Sequence, residues 1–198
     1  MMARGRVVVL KPYGFLAIEE IDLPAPADRQ VAVELLAAGI QGAQIAMVQA
    51  SDAEDWRQAV PGDVGVGRVL AAGAAVTRVA VGDLVVIGPG ADAGGDTQVA
   101  SLTFLDGSVQ NDRAVWTWAT NTIVDERYVK VVPASLAPLG EALTALTAPL
   151  PDDLDALVAQ LPAMVGRRYT IEEINEAVLD VENDPPETLP LLVLEPLR

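Results

Sequence analysis

The chain has 198 residues, of which 51% are hydrophobic, and it contains no cysteine and no histidine. These two absences exclude the usual zinc and iron–sulfur sites, and catalysis by a thiol or an imidazole. A bound metal would need oxygen ligands, which suit magnesium or calcium. The net charge of −15 makes nucleic acid and anionic membranes poor partners, because both are negatively charged. No apolar run approaches the roughly 20 residues of a membrane-spanning helix, so the sequence favours a cytoplasmic protein.

The N-terminal part of the chain predicts short β-strands separated by turns. Residues 6–10 and 30–38 are apolar enough for strands, and residues 16–23 alternate apolar and acidic side chains. Such alternation is typical of a half-exposed strand. Turn-forming residues lie at 11–14 and 24–28. Many short strands with frequent turns predict a small barrel or sandwich.

Residues 60–88 carry the most specific pattern in the sequence. A Val-Pro-Gly turn opens it at Val60, two glycines interrupt an apolar run at Gly65 and Gly67, and Gly82-Asp83 precedes a second apolar run. Glycine inside a strand is typical of a bulge or of a close backbone approach. In order and spacing, these features resemble the GroES-like catalytic domain of the medium-chain dehydrogenase/reductase superfamily, in particular its quinone oxidoreductase branch. The resemblance implies a mainly β protein with a few helices: a GroES-like, partly open β-barrel without a doubly wound Rossmann sheet.

The resemblance also places a ligand-binding cleft. Zinc-dependent members have a metal-ligating cysteine where Gln41 stands, and zinc-free quinone reductases have an asparagine there. An aspartate of the family is replaced by Gln44, and the Gly-His-Glu triplet of the zinc enzymes becomes Gly62-Asp63-Val64. The resemblance therefore implies a cleft lined by Gln41, Gln44 and Asp63 that holds no zinc. Asp63 is the candidate general base and the two glutamines are candidate carbonyl or oxyanion donors, although a lone carboxylate in a cleft is more often structural.

Residues 88–95 are rich in glycine and follow an apolar strand, so they could form a dinucleotide-binding turn. That motif requires a helix directly after the glycines, whose N-terminal amides hold the pyrophosphate. Residues 97–104 instead have a β-like composition. The sequence therefore predicts a solvated loop here and no bound cofactor.

An aromatic strand is predicted over residues 114–124. Trp116 and Trp118 would lie on the same face, because side chains alternate along a strand. Packing in a core or an interface is favoured over stacking on a ligand.

The C-terminal part resembles the closing helix of the superfamily over residues 166–177. Thr170 and Glu173 have the spacing of a capping box, and an apolar stripe follows, formed by Ile171, Ile174, Val178 and Val181. Asn183 can end this helix, and residues 191–194 predict a last strand. We therefore expect one domain over residues 1–198, with a core of 6–136 and 166–195. Two short helices over 139–164 would form a joint in place of the nucleotide-binding domain.

Three functions are compatible with this reading. The first is a non-catalytic accessory protein that binds a partner protein, or presents a substrate such as a peptide to a partner enzyme. The second is a cofactor-independent isomerase, cyclase or lyase that uses Asp63. The third is a half-oxidoreductase whose nucleotide domain belongs to another chain. We do not expect the isolated chain to be an independent NAD(P)- or zinc-dependent dehydrogenase, because hydride transfer requires a cofactor held in place. A protein partner or a homodimer is expected, and a small molecule or peptide as ligand.

Overall fold

The computed structural model describes residues 3–52, 59–88, 101–110, 114–139, 165–183 and 188–194. The strands in these residues are β1 (Ala3–Leu10), β2 (Leu16–Leu23), β3 (Gln30–Gly39), β4 (Gly65–Ala72), β5 (Leu84–Ile87), β6 (Leu102–Phe104), β7 (Val109–Gln110), β8 (Asn121–Asp125), β9 (Val129–Val131), β10 (Val165–Thr170) and β11 (Leu189–Val193). The α-helices in the same described residues are α1 (Gly42–Gln49) and α2 (Ile174–Asn183). The predicted mainly β fold is confirmed. None of the described helices is long and apolar enough to cross a lipid bilayer.

The first sheet contains four antiparallel strands in the order β1-β2-β6-β7. Strands β1 and β2 form a hairpin whose register runs without a break from Ala3 opposite Leu23 to Leu10 opposite Leu16. The Lys11–Phe15 loop joins them, and the Lys11 N–H closes it by donating to the Phe15 carbonyl at 2.8 Å.

The second sheet has the order β10-β11-β3-β4-β5-β9, and β8 pairs with β3 beside β11. Its centre is the long strand β3, which pairs with β4 along one edge and with β8 and β11 along the other. Among the described strands, the one parallel pair is β10 with β11. These residues therefore form no doubly wound parallel sheet, and the two sheets do not close into a barrel.

The glycines of β4 lie where neighbouring residues approach closely, and at Gly67 the neighbour is a backbone, as predicted. A Cβ atom at Gly65 would come within 2.9 Å of the Leu35 side chain, and one at Gly67 would collide with the Glu34 carbonyl. The register between β3 and β4 also shifts between Leu35 and Ala37. Glycine is needed at these two positions because the packing around the paired strands leaves no room for a side chain.

The aromatic segment packs in the core, but it is not the strand that the sequence predicts. Trp116 and Trp118 are 1% and 0% exposed, which confirms the packing. The strand, however, begins only at Asn121. The backbone N–H groups of Thr117 and Trp118 both donate to the Pro61 carbonyl. These residues therefore hydrogen-bond to the loop before β4 and do not continue the strand that begins at Asn121.

The C-terminal segment begins as a strand and not as a helix. Residues 165–170 form β10, and one 3₁₀ turn then leads into α2. The capping box is confirmed, since the Thr170 N–H donates to the Glu173 carboxylate at 2.7 Å. Helix α2 ends at Asn183 as expected, and Ile174 on its apolar face is fully buried. The predicted helical joint covers residues 139–164, and all of it beyond residue 139 lies outside the described part of the chain.

Candidate functional site

The three predicted cleft residues lie together at the start of α1. The side-chain oxygen of Gln44 turns back to accept the backbone N–H of Gln41 at 3.0 Å. This bond satisfies one of the amide groups that a helix start leaves without an intrahelical acceptor. Gln44 is 2% exposed, and Gln41 is half-buried at the helix start.

The other half of the Gln44 amide reaches Asp63. Its Nε2 atom donates to the Asp63 Oδ2 atom. Asp63 is half-buried in the loop that precedes β4. The arrangement is therefore a chain of hydrogen bonds from Gln41 through Gln44 to Asp63, in which Gln44 uses both its oxygen and its nitrogen.

The loop that carries Asp63 is held on both sides. The Val64 carbonyl accepts the Gly39 N–H and the Thr117 hydroxyl, each at 3.1 Å. Gly62 has a φ of +102°, a conformation that glycine adopts at little cost. The end of β3, the segment before β8 and the start of α1 thus meet around Asp63.

Zinc does not fit these residues. The chain contains neither histidine nor cysteine, and those two side chains dominate protein zinc sites. Within the described residues there is also no group of three or more acidic side chains placed to hold another metal ion. The chemistry at this site would have to come from the carboxylate and the two amides.

A dinucleotide does not fit the described strands either. Strand β5, which precedes the glycine-rich loop, is antiparallel to both of its neighbours, β4 and β9. The fingerprint turn instead belongs to a parallel strand–helix–strand unit. The loop beyond Gly88 lies outside the described residues.

Comparison with known proteins places this site in a family context. Residues 27–134, more than half of the chain, match the alcohol dehydrogenase GroES-like domain. The chain belongs to this family. A curated relative, alcohol dehydrogenase 6 of Rattus norvegicus, is 32% identical over 80 residues, which are 40% of this chain and 21% of that protein. The alignment thus spans about a fifth of that relative's length.

Solved structures of the superfamily share the fold. An alcohol dehydrogenase zinc-binding domain protein from Burkholderia ambifaria has a TM-score of 0.75 at 14% identity, covering 98% of this chain and 100% of that chain. CAD from Helicobacter pylori, complexed with NADP(H), has a TM-score of 0.55 at 20% identity, covering 74% and 46%. A Pseudomonas syringae quinone oxidoreductase has a TM-score of 0.52 at 19% identity, covering 72% and 38%. The predicted resemblance to the medium-chain dehydrogenase/reductase superfamily is confirmed.

The structure also forms a groove that no sequence motif marks. It has a volume of about 560 Å³ and lies between the β1–β2 loop, the end of α1 and α2. Its residues come from three distant parts of the chain, including 13–15 and 175–182. Only tertiary packing brings them together, and the single local signal is a tyrosine followed by glycine in the turn at 13–14.

Proposed function

We propose that this chain is a non-catalytic accessory protein of the alcohol dehydrogenase GroES-like family that binds a partner protein. The observation that carries the proposal is the chain of hydrogen bonds from Gln41 through Gln44 to Asp63. The resemblance implies that zinc-dependent relatives have metal ligands at the positions of Gln41 and Asp63. In this protein, the residues at these positions and Gln44 connect the start of α1 to the loop before β4 through hydrogen bonds.

The hydrogen bond between Gln44 and Asp63 favours a structural role for Asp63 over a role as general base. A general base needs a carboxylate oxygen that is open to the substrate, whereas the Asp63 Oδ2 atom already accepts the Gln44 Nε2–H. Gln44 is 2% exposed, so turning Asp63 away from it toward a substrate would leave a buried amide without this acceptor and cost about 1–3 kcal/mol. Gln44 itself has only one amide hydrogen left for an oxyanion.

Exposed apolar side chains support a protein partner. Among the described residues, the large apolar side chains that are most exposed are Tyr13, Phe15, Leu70, Val81, Leu105, Val131 and Leu179. Leu70 and Val81 lie on neighbouring backbone segments, as shown by the hydrogen bond from the Gly82 N–H to the Val69 carbonyl at 2.8 Å. Apolar side chains grouped on a surface are typical of protein contacts.

Purification of the chain from its native source, under mild conditions, tests the proposal. We expect a complex with a second, different protein at fixed stoichiometry, measured by gel filtration and native mass spectrometry. The double variant Leu70→Ser, Val81→Ser should lose this complex. Leu105→Ser also replaces an exposed apolar side chain by a polar one, but elsewhere on the surface, and it should keep the complex. The Asp63→Asn variant should also keep the complex and any activity that the complex has.

Two results would contradict the proposal. One is a strict monomer, or self-association alone, in the native preparation. The other is a reaction turned over by the isolated chain and abolished by Asp63→Asn, which would make Asp63 a catalytic base and this chain a cofactor-independent enzyme.

A further inference from the structure

The groove between the β1–β2 loop and α2 has the size of a small-molecule site. Its volume is about 560 Å³, within the range of roughly 300–1,000 Å³ that ligand pockets occupy. Val48 and Val178, both buried, contribute to its lining. Tyr13, Phe15 and Leu179 stand at its surface and are 86%, 59% and 55% exposed. Three large apolar side chains thus remain open to solvent around one concavity.

The turn that presents the aromatic side chains adopts an uncommon conformation. Tyr13 has a φ of +63°, and Gly14, which follows it, has a φ of +72°. A tyrosine in this region costs about 1 kcal/mol or more. Its ring is largely exposed, so packing within the described chain does not offset that cost. Backbone strain of this kind is concentrated at ligand sites.

Among the described residues that line the groove, Glu182 of α2 is the charged one. It is half-buried, and the described residues place no lysine or arginine within ion-pair distance of it. The neighbouring acids of α2 differ, because Glu176 and Asp180 both pair with Arg167, at 2.8 and 2.6 Å. Within the described residues, Glu182 therefore offers a negative charge without an ion-pair partner, in the groove that Tyr13 and Phe15 also line.

We propose that this groove binds a small organic ammonium ion, namely a protonated amine with an apolar alkyl or arylalkyl body. The apolar side chains would cover the body of the ligand. The ammonium group would pair with the Glu182 carboxylate and contact the faces of Tyr13 and Phe15, since aromatic faces attract cations. The chain's net charge of −15 also favours a cation over an anion. This site is separate from Asp63 and does not depend on the proposed partner protein.

The probe is 4-phenylbutylammonium, and its neutral counterpart of similar shape is 4-phenylbutanol. Each is titrated into the full chain and followed by calorimetry and by amide NMR shifts. We expect the ammonium ion to bind in the micromolar-to-millimolar range, with shifts at Gly14 and Leu179. The alcohol should bind at least about threefold more weakly, and added salt should weaken the binding of the ammonium ion alone.

Matched charge variants locate the site. Glu182→Gln should weaken binding of the ammonium ion about threefold to tenfold and leave the alcohol unchanged, as expected for loss of one partly exposed ion pair. Glu20→Gln removes an acid that is exposed on β2 and outside the groove, and it should change neither affinity. Circular dichroism confirms that both variants are folded.

Three results would overturn the proposal. The first is equal binding of the ammonium ion and the alcohol. The second is an equal effect of Glu182→Gln and Glu20→Gln, which would indicate non-specific attraction to an acidic surface. The third is the lack of any saturable shift at the groove residues up to millimolar concentrations of the probe.

Discussion

The side-chain amide of Asn175 forms two hydrogen bonds with the backbone of Leu16. Its oxygen accepts the Leu16 N–H at 3.1 Å and its nitrogen donates to the Leu16 carbonyl at 2.8 Å. The amide thus acts as one residue of an extra strand at the start of β2. Because 159 positions separate the two residues, this contact joins the C-terminal helix α2 to the first hairpin. It also fixes the wall of the groove that α2 shares with the β1–β2 loop.

Replacing Asn175 by alanine should destabilise the protein markedly. The change leaves both backbone groups of Leu16 without this partner, and Leu16 is 2% exposed. An unsatisfied buried polar group costs about 1–3 kcal/mol, so we expect a loss of about 2–3 kcal/mol in the free energy of unfolding, measured with urea. Asn183→Ala, at the exposed end of the same helix, is the control and should cost less than about 1 kcal/mol. Equal losses in both variants would contradict the role of this contact.

Gly62→Ala should be among the most damaging single substitutions in the chain. The new Cβ atom would lie 2.6 Å from the backbone nitrogen of Trp118, at a φ of +102°. Both the collision and the backbone strain oppose folding, and together they should cost more than about 3 kcal/mol. Thermal and urea unfolding measure the loss.

Gly82→Ala separates the two causes. Gly82 has a φ of +91°, but nothing lies within 4 Å of the position its Cβ would occupy. The substitution should therefore cost about 1 kcal/mol, from backbone strain alone. If Gly62→Ala were no worse than Gly82→Ala, the loop before β4 would be less tightly held than the contacts of Thr117 and Trp118 indicate.

Glu126 anchors the turn after β4 from inside the protein. Its side chain is 3% exposed and accepts the backbone N–H groups of Thr77 and Arg78 at 2.9 and 3.2 Å, with the Arg29 guanidinium at 3.3 Å. Glu126→Ala removes all three contacts and should cost about 2–3 kcal/mol. Hydrogen exchange should become faster at the amides of residues 77 and 78. The Ala75 amide, which donates to the Asp28 carbonyl instead, is the internal reference and should change less.

The sequence predicts that Gln41, Gln44 and Asp63 lie close together because the determinants of their positions are local. The Val-Pro-Gly turn fixes the position of Asp63, and the polar start of α1 fixes Gln41 and Gln44. These short patterns resemble those of a known family, and that resemblance suffices to predict that the three residues lie together. Their role was not predictable, since the bond between Gln44 and Asp63 depends on how the loop lies over α1.

Long-range contacts explain what the sequence did not predict. The segment around Trp116 has the alternation of a strand, but hydrogen bonds to Pro61 override that local preference. Residues 166–170 precede a capping box, and the sequence pattern assigns them to the helix, whereas they belong to strand β10, which pairs with β11. The groove beside Tyr13 requires that α2 pack against the first hairpin, which no local pattern encodes.

The ion pair of Asp125 with Arg127 should make stability depend on pH in the acid range. Burial alone would raise the pKa of Asp125, but hydrogen bonds from the side chain and backbone N–H of Arg127 outweigh it and hold the pKa below its ordinary value. The Arg127 N–H and Nε atoms lie 3.0 and 3.1 Å from Oδ1. A carboxylate whose pKa is lowered by folding stabilises the protein above its unfolded-state pKa. That contribution is lost as the pH falls through the folded-state pKa.

The comparison of wild type with Asp125→Asn isolates this contribution. The wild type should be more stable by about 1–2 kcal/mol at pH 7, and the difference should shrink as the pH falls below about 4, the ordinary range of an aspartate. Urea unfolding at a series of pH values between 7 and 2.5 measures it. In the Arg127→Gln background the same comparison should give a smaller difference, because the main partner of the carboxylate is gone. A difference that stays constant down to pH 2.5 would show that the carboxylate gains nothing from its buried position beside Arg127.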